Sequence, residues 1–80
     1  MSIAKNLKFL RKKAGYTQEQ FAKELGIKRS LVGAYEEGRA EPRLQNLSKI
    51  SKVLNVTVDG LIVGDQTILK SIKFQKEKHL

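Results

Sequence analysis

The chain has 80 residues, enough for one small domain with a modest hydrophobic core. It contains no cysteine, which excludes disulfides and thiolate chemistry, and its one histidine, His79, argues against a zinc site built on imidazoles. Sixteen lysines and arginines stand against eight acidic residues, giving a net charge of +8. A small domain this basic is typical of proteins that bind a polyanion.

The longest uninterrupted apolar run is residues 61–63, so the sequence predicts neither a membrane span nor a signal peptide. It shows no phosphate-cradling glycine loop and no carboxylate constellation at a catalytic spacing. We therefore expect no enzyme activity, no metal and no cofactor. The lack of a predicted membrane span, of a signal peptide and of cysteine predicts a cytoplasmic protein.

Five helices are predicted before residue 65. The first would have Ser2 as its N-cap and Gly15 just beyond its last turn. Its apolar residues fall at the spacing of one helical face: Ile3, Leu7, Leu10 and Ala14. Residues 1–14 also hold five cations and no acid, the densest positive charge in the chain.

The second helix is predicted to begin after Thr17. Thr17 followed by Gln20 is the pattern of a capping box, in which each side chain satisfies a free backbone amide of the other residue. Gly26 is placed to end the helix. Its predicted buried stripe is Phe21, Ala22 and Leu25.

The third helix is predicted to follow the Gly26 turn and to end at Gly38, with Lys28 as its N-cap. Its buried face would be Ile27, Leu31, Val32 and Tyr35. Lysine lacks the short side-chain oxygen of a good N-cap, and a cation at this helix end opposes the helix dipole. Gly33 in mid-helix costs about 1 kcal/mol relative to alanine. Lys28 and Arg29 nevertheless suit a helix end that points at an anion.

Pro42 marks a turn before the fourth helix, which is predicted to stop at Asn55, a residue type that tolerates the left-handed conformation. The predicted inward residues of the fourth helix are Leu44, Leu47, Ile50 and Leu54. Thr57 then caps a short fifth helix, with Asp59 favourably placed in its first turn. The predicted inward residues of the fifth helix are Val58, Leu61 and Ile62.

Three positions in the second and third helices fit a helix-turn-helix. Ala22 is small where the two helices would cross, Gly26 makes the turn, and Val32 fixes the third helix in the core. Residues 3–63 resemble the Cro/phage-repressor (XRE-like) family of helix-turn-helix regulators. The matching features are the Thr-Gln opening at 17–18, the Gly-Ile turn at 26–27, the Tyr-Glu-x-Gly ending at 35–38 and the Glu-Pro pair at 41–42.

This resemblance implies an all-α, five-helix DNA-binding domain over residues 1–64, followed by a tail, linker or dimerisation arm at 65–80. It implies a sequence-specific transcriptional regulator, a repressor that binds double-stranded DNA as a homodimer on an inverted repeat. In such domains the third helix enters the major groove.

The base-reading residues implied by the resemblance are Lys28, Arg29, Ser30, Gly33 and Ala34. Arg29 is the best suited to this role, because its guanidinium can bind O6 and N7 of one guanine together. Gly33 and Ala34 are expected on the exposed side of the helix. Two interpretations of Gly33 stay open: it lets the helix approach the groove closely, or it is merely tolerated.

The resemblance also implies phosphate contacts at the second helix and in the loop after the third. These residues are Gln18, Glu37, Gly38, Arg39 and Arg43, with Glu37 and Gly38 acting through their backbone amides. Arg11 and Glu36 match family positions that form a salt bridge between the first and third helices. We expect this pair to orient the third helix, and Tyr35 to belong to the core.

The tail leaves alternatives open. Ile68, Leu69 and Ile72 suit a helix, whereas Ile72 and Phe74 alternate with lysines as in a strand. An amphipathic tail also fits an antitoxin-like module that holds a second protein. Residues 65–80 are equally compatible with the start of a linker to a further domain, as in longer repressors.

Overall fold

The computed structural model describes residues 3–64, which form five α-helices. They are α1 (Ile3–Lys13), α2 (Gln18–Leu25), α3 (Arg29–Glu36), α4 (Leu44–Leu54) and α5 (Val58–Val63). The predicted all-α, five-helix fold is therefore confirmed. The predictions for Ser2 and for the tail at 65–80, including a partner-binding or dimerising role, lie outside the described residues.

The turn between α2 and α3 is built as the sequence predicts. The Thr17 hydroxyl accepts a hydrogen bond from the Gln20 amide at 3.1 Å, and the Gln20 side chain accepts one from the Thr17 amide at 2.9 Å. Gly26 ends α2 in the left-handed conformation, with φ 70° and ψ 32°. The amide of Ile27 donates to the Ala22 carbonyl at 3.0 Å, which closes the last turn. A side chain at position 26 would be strained at this φ, so the turn requires glycine.

The core lies where α3 packs against α1 and α2, and α4 and α5 close it from the other side. Its buried residues are Leu7, Leu10, Phe21, Ala22, Leu25, Val32, Tyr35, Ile50 and Leu61. Ala22 and Val32 are both buried, as a helix-turn-helix requires. Tyr35 also belongs to the core, and its hydroxyl accepts a hydrogen bond from Asn46 Nδ2 at 2.8 Å. A buried tyrosine hydroxyl needs such a partner.

Three apolar residues that were expected to face inward are exposed: Ala14, Leu44 and Ile62. Ala14 lies beyond the end of α1, and Ala4 is buried instead. Leu44 is the first residue of α4 and is 77% exposed, because the core does not extend to that helix end. Leu61 takes the inward position in α5, which turns the next residue about 100° away. Helical periodicity identifies a face but not where its burial stops.

α5 is fixed at both ends. The Thr57 hydroxyl accepts a hydrogen bond from the Gly60 amide at 2.9 Å. Asn55, two residues before Thr57, takes the predicted left-handed conformation with φ 56°. From α1, Asn6 Nδ2 donates to the Leu61 carbonyl at 2.7 Å. The last turn of α5 is therefore tied to the first helix.

Candidate nucleic-acid interface

α3 has one buried face and one open face. Val32 and Tyr35 lie in the core, and the side chain of Glu36 is only 2% exposed. Arg29 and Ser30 are exposed, and Gly33 is partly exposed one turn after Arg29. The open face of α3 thus carries a guanidinium and a hydroxyl near its N-terminus and bare backbone at its middle.

The N-terminus of α3 is positively charged and has no side-chain cap. Lys28 takes the N-cap position, with φ −74° and ψ 145°, and its side chain makes no capping hydrogen bond. Arg29 follows, and the first turn contains no acidic residue. α2 and α5, by contrast, are each capped by a threonine hydroxyl. Two cations therefore stand beside backbone amides that have no partner within the helix, an arrangement suited to an anion.

A second uncapped helix start lies after the α3–α4 loop. Arg43 is the N-cap of α4, with no side-chain capping hydrogen bond, and it is exposed. Arg39, earlier in the same loop, forms an ion pair with Glu37 through its Nε at 2.7 Å, and both side chains are well exposed. An exposed pair of this kind contributes little to stability, so Arg39 can exchange its partner for a phosphate at small cost.

The backbone amides of Glu37 and Gly38 are already used within the protein. The Glu37 amide donates to the Gly33 carbonyl at 2.9 Å, and the Gly38 amide donates to the Tyr35 carbonyl at 3.2 Å. Both bonds close the C-terminal turn of α3. The amides expected to face phosphate are thus engaged in the turn, whereas the side chains of Arg39 and Arg43 are exposed.

Ala34 does not lie on the exposed side of α3, and that expectation was wrong. It is 8% exposed, and its carbonyl accepts hydrogen bonds from the amides of Arg39 at 2.9 Å and Ala40 at 3.3 Å. The loop after α3 folds back over this position. Sequence spacing placed Ala34 correctly on the helix but could not show that the loop covers it.

The salt bridge between α1 and α3 is confirmed. Arg11 Nε lies 2.5 Å from Glu36 Oε2, and Arg11 Nη2 donates to Glu36 Oε1 at 3.0 Å. The two side chains are 7% and 2% exposed. Arg11 Nη1 also donates to the Tyr16 carbonyl at 2.7 Å. This two-point contact is the geometry that best pairs a guanidinium with a carboxylate, and it fixes the C-terminal end of α3 on α1.

Gln18 joins this network, which the sequence analysis missed. Its Nε2 donates to Glu36 Oε1 at 3.0 Å, across 18 residues of sequence. The family resemblance implied only a phosphate contact for Gln18. A pairing at this separation leaves no signal in local spacing, since it depends on how α2 and α3 cross.

A shallow, open groove runs along one side of α3. Its lining combines apolar side chains with polar and cationic ones. It is lined by Ile27, Lys28, Ser30, Leu31, Ala34 and Arg39. Within residues 3–64, no three histidine, cysteine or acidic side chains come together to hold a metal ion. No helix in the same range is long and apolar enough to cross a membrane.

Two solved structures superpose on the five-helix fold of residues 3–64. The P22 c2 repressor, solved in complex with a synthetic operator, superposes with a TM-score of 0.76 at 28% identity, covering 81% of this chain and 98% of that one. The N-terminal DNA-binding domain of SinR from Bacillus subtilis gives a TM-score of 0.70 at 33% identity, covering 75% and 88% of the two chains.

Sequence comparison identifies the family. The prophage-derived HTH-type transcriptional regulator YonR of Bacillus subtilis is 45% identical over 62 residues, or 78% of this chain and 57% of that protein. ImmR of the same organism, also an HTH-type transcriptional regulator, is 38% identical over 71 residues, covering 89% and 56%. The chain thus spans a little over half the length of these two relatives. The helix-turn-helix family profile matches residues 7–61, so the chain belongs to the helix-turn-helix family and the XRE-like resemblance predicted from its sequence is confirmed.

Proposed function

We propose that this chain is the DNA-binding domain of a transcriptional repressor and that α3 reads DNA in the major groove. The main support for this proposal is the N-terminus of α3, where Lys28 and Arg29 are exposed and no side chain caps the helix. In helix-turn-helix proteins this end of the second helix of the motif contacts base edges. The names of the relatives and the operator bound to the P22 c2 repressor support the same role.

Base recognition is assigned to Arg29 and Ser30, with Lys28 beside them. Arg29 can bind guanine O6 and N7 together, which discriminates against other bases by about 1–3 kcal/mol. Ser30 has a short hydroxyl that serves as donor or acceptor at close range. The apolar residues that line the α3 groove suit contact with sugars or thymine methyl groups at the edge of the site.

Phosphate contacts are assigned to Arg39, Arg43 and the start of α2. Gln18 is the first residue of α2, so its backbone amide is one of the helix-end donors that have no partner within the helix. Its side chain is held by Glu36, which makes the amide the better candidate for phosphate. Such contacts fix register and supply affinity that falls steeply as salt is added.

The proposed target is an inverted repeat bound by a homodimer in the cytoplasm. A two-fold symmetric dimer places two α3 helices in successive major grooves on one side of the duplex. The half-sites would then lie about 34 Å apart, one turn of B-DNA. The excess positive charge supports binding to the polyanionic backbone.

Selection of bound duplexes from a random-sequence library tests this function. A two-fold symmetric motif with half-sites about one helical turn apart is the expected result. The control is Lys52→Ala, because Lys52 is exposed in the last turn of α4 and lies outside the proposed interface. It should recover the same motif. Salt-sensitive binding with no recovered motif would contradict a sequence-specific role.

A further inference from the structure

Gly33 is the least explained residue of α3. It is the fifth of eight helical residues, and its φ is not in the left-handed region that favours glycine. Apart from the two adjacent residues and the backbone of α3 itself, no heavy atom of the described residues lies within 4 Å of the position that a Cβ would occupy. The fold of the free protein therefore has both the backbone conformation and the space for a side chain here.

Glycine at such a position lowers helix stability for no gain within the protein, because it has the largest conformational entropy to lose on folding. Gly26, in the turn between α2 and α3, differs from Gly33 because its φ of 70° requires glycine. The chain does use strong helix-stabilising features elsewhere, such as the Thr17 capping box. The loss of helix stability at position 33 thus affects α3, the helix whose exposed face is proposed to contact the bases.

Gly33 lies on that face. It follows Arg29 by four residues, which puts the two on the same side of the helix. An α-helix with its side chains is about 10–12 Å across, and the major groove is about 12 Å wide and 8.5 Å deep. A helix in this groove has little clearance, and the length of the side chain at the centre of its open face sets how deeply it enters.

We propose that Gly33 is a specificity-determining position of the DNA interface: its missing side chain lets the backbone of α3 lie against the base edges, which brings Arg29 and Ser30 within reach. This inference rests on the proposed DNA-binding function. It assigns to Gly33 a steric role in the complex and no role in the stability of the free domain. Stability and affinity should therefore respond in opposite directions to a side chain at this position.

The test compares Gly33→Ala and Gly33→Leu with wild type in two measurements. Thermal unfolding should show the melting temperature of Gly33→Ala rising by about 4–8 °C, as expected for an exposed glycine replaced by alanine in a domain of this size. Affinity for the duplex that wild type selects should fall about tenfold or more, as when a methyl group is forced into a close contact. Gly33→Leu should also fold at least as stably as wild type and should bind more weakly than Gly33→Ala.

Ser48→Ala is the matched control, because Ser48 is exposed in the middle of α4 and the substitution also raises helix propensity. It should leave affinity unchanged. Equal or tighter binding by Gly33→Ala would overturn this inference alone, as would a fall in its melting temperature. If wild type itself recovers no motif from the library, the proposed function fails and this inference fails with it.

Discussion

Gln18 Nε2 and Glu36 Oε1 are joined by a 3.0 Å hydrogen bond. The same carboxylate oxygen accepts from Arg11 Nη2, so one buried acid links α1, α2 and the last residue of α3. A movement of α3 that broke these contacts would leave the carboxylate unpaired in a desolvated position, which is costly. The orientation of α3 is thus held by a polar contact as well as by the core.

Glu36→Ala should lower the free energy of unfolding by about 3–5 kcal/mol, because it leaves the buried Arg11 guanidinium without its partner. The matched control is Glu37→Ala, since Glu37 is adjacent but 63% exposed in its side chain and should cost less than about 1 kcal/mol. Urea unfolding of both variants measures the difference. Similar small losses for the two would show that the buried pair does not orient α3.

Gln18→Ala should lower the free energy of unfolding by about 1–2 kcal/mol, because it removes a hydrogen bond to a charged group. A double-mutant cycle with Glu36→Ala, which removes the acceptor oxygen, isolates the contact, and we expect a coupling of about 1 kcal/mol. Gln45→Ala, at an exposed site on α4, is the control and should leave stability nearly unchanged. If the two substitutions changed the free energy of unfolding strictly additively, the Gln18 side chain would not stabilise Glu36.

Arg43→Ala should weaken binding to all DNA sequences alike and reduce the salt slope of the affinity by about one unit, as the loss of one phosphate contact does. Its stability should change little, since Arg43 forms no capping hydrogen bond. Affinity measured by fluorescence anisotropy over a series of salt concentrations gives the slope. Lys52→Ala removes the same charge from the far end of α4 and should keep the wild-type slope. An unchanged slope for Arg43→Ala would remove Arg43 from the interface.

Lys28→Ser should raise the free energy of unfolding by about 1 kcal/mol, because serine supplies the N-cap oxygen that lysine lacks. The same change should weaken DNA binding by removing a cation from the start of α3. The reverse change at another cap, Thr57→Lys, should destabilise by a similar amount, because it removes the hydrogen bond to the Gly60 amide. If Lys28→Ser is not stabilising, the N-terminus of α3 already has a satisfactory cap.

The features that the sequence predicted correctly are mostly local. The Thr17–Gln20 capping box, the Gly26 turn and the left-handed Asn55 each depend on a few neighbouring residues, whose side chains act on the adjacent backbone. Residue type and spacing are then sufficient. The Arg11–Glu36 salt bridge spans 25 residues and was predicted through resemblance to a known family, since no local pattern indicates it.

The features that the sequence missed depend on how distant segments meet. Ala34 is covered by the loop after α3, and the Gln18–Glu36 contact depends on the crossing of two helices. Leu44 is exposed because the core ends before the start of α4. Helical periodicity carries none of this information, because it describes one helix at a time.

Duplex selection with Arg29→Ala beside wild type tests the central claim, that α3 reads bases in the major groove. Arg29 is exposed, lies in the first turn of α3 and has no salt-bridge partner among the residues that the structure describes. We expect a two-fold symmetric motif for wild type and loss of base preference at one position in each half-site for the variant. A uniform loss of affinity with the motif intact would contradict this expectation, because Arg29 would then contact phosphate and the bases would be read by other residues.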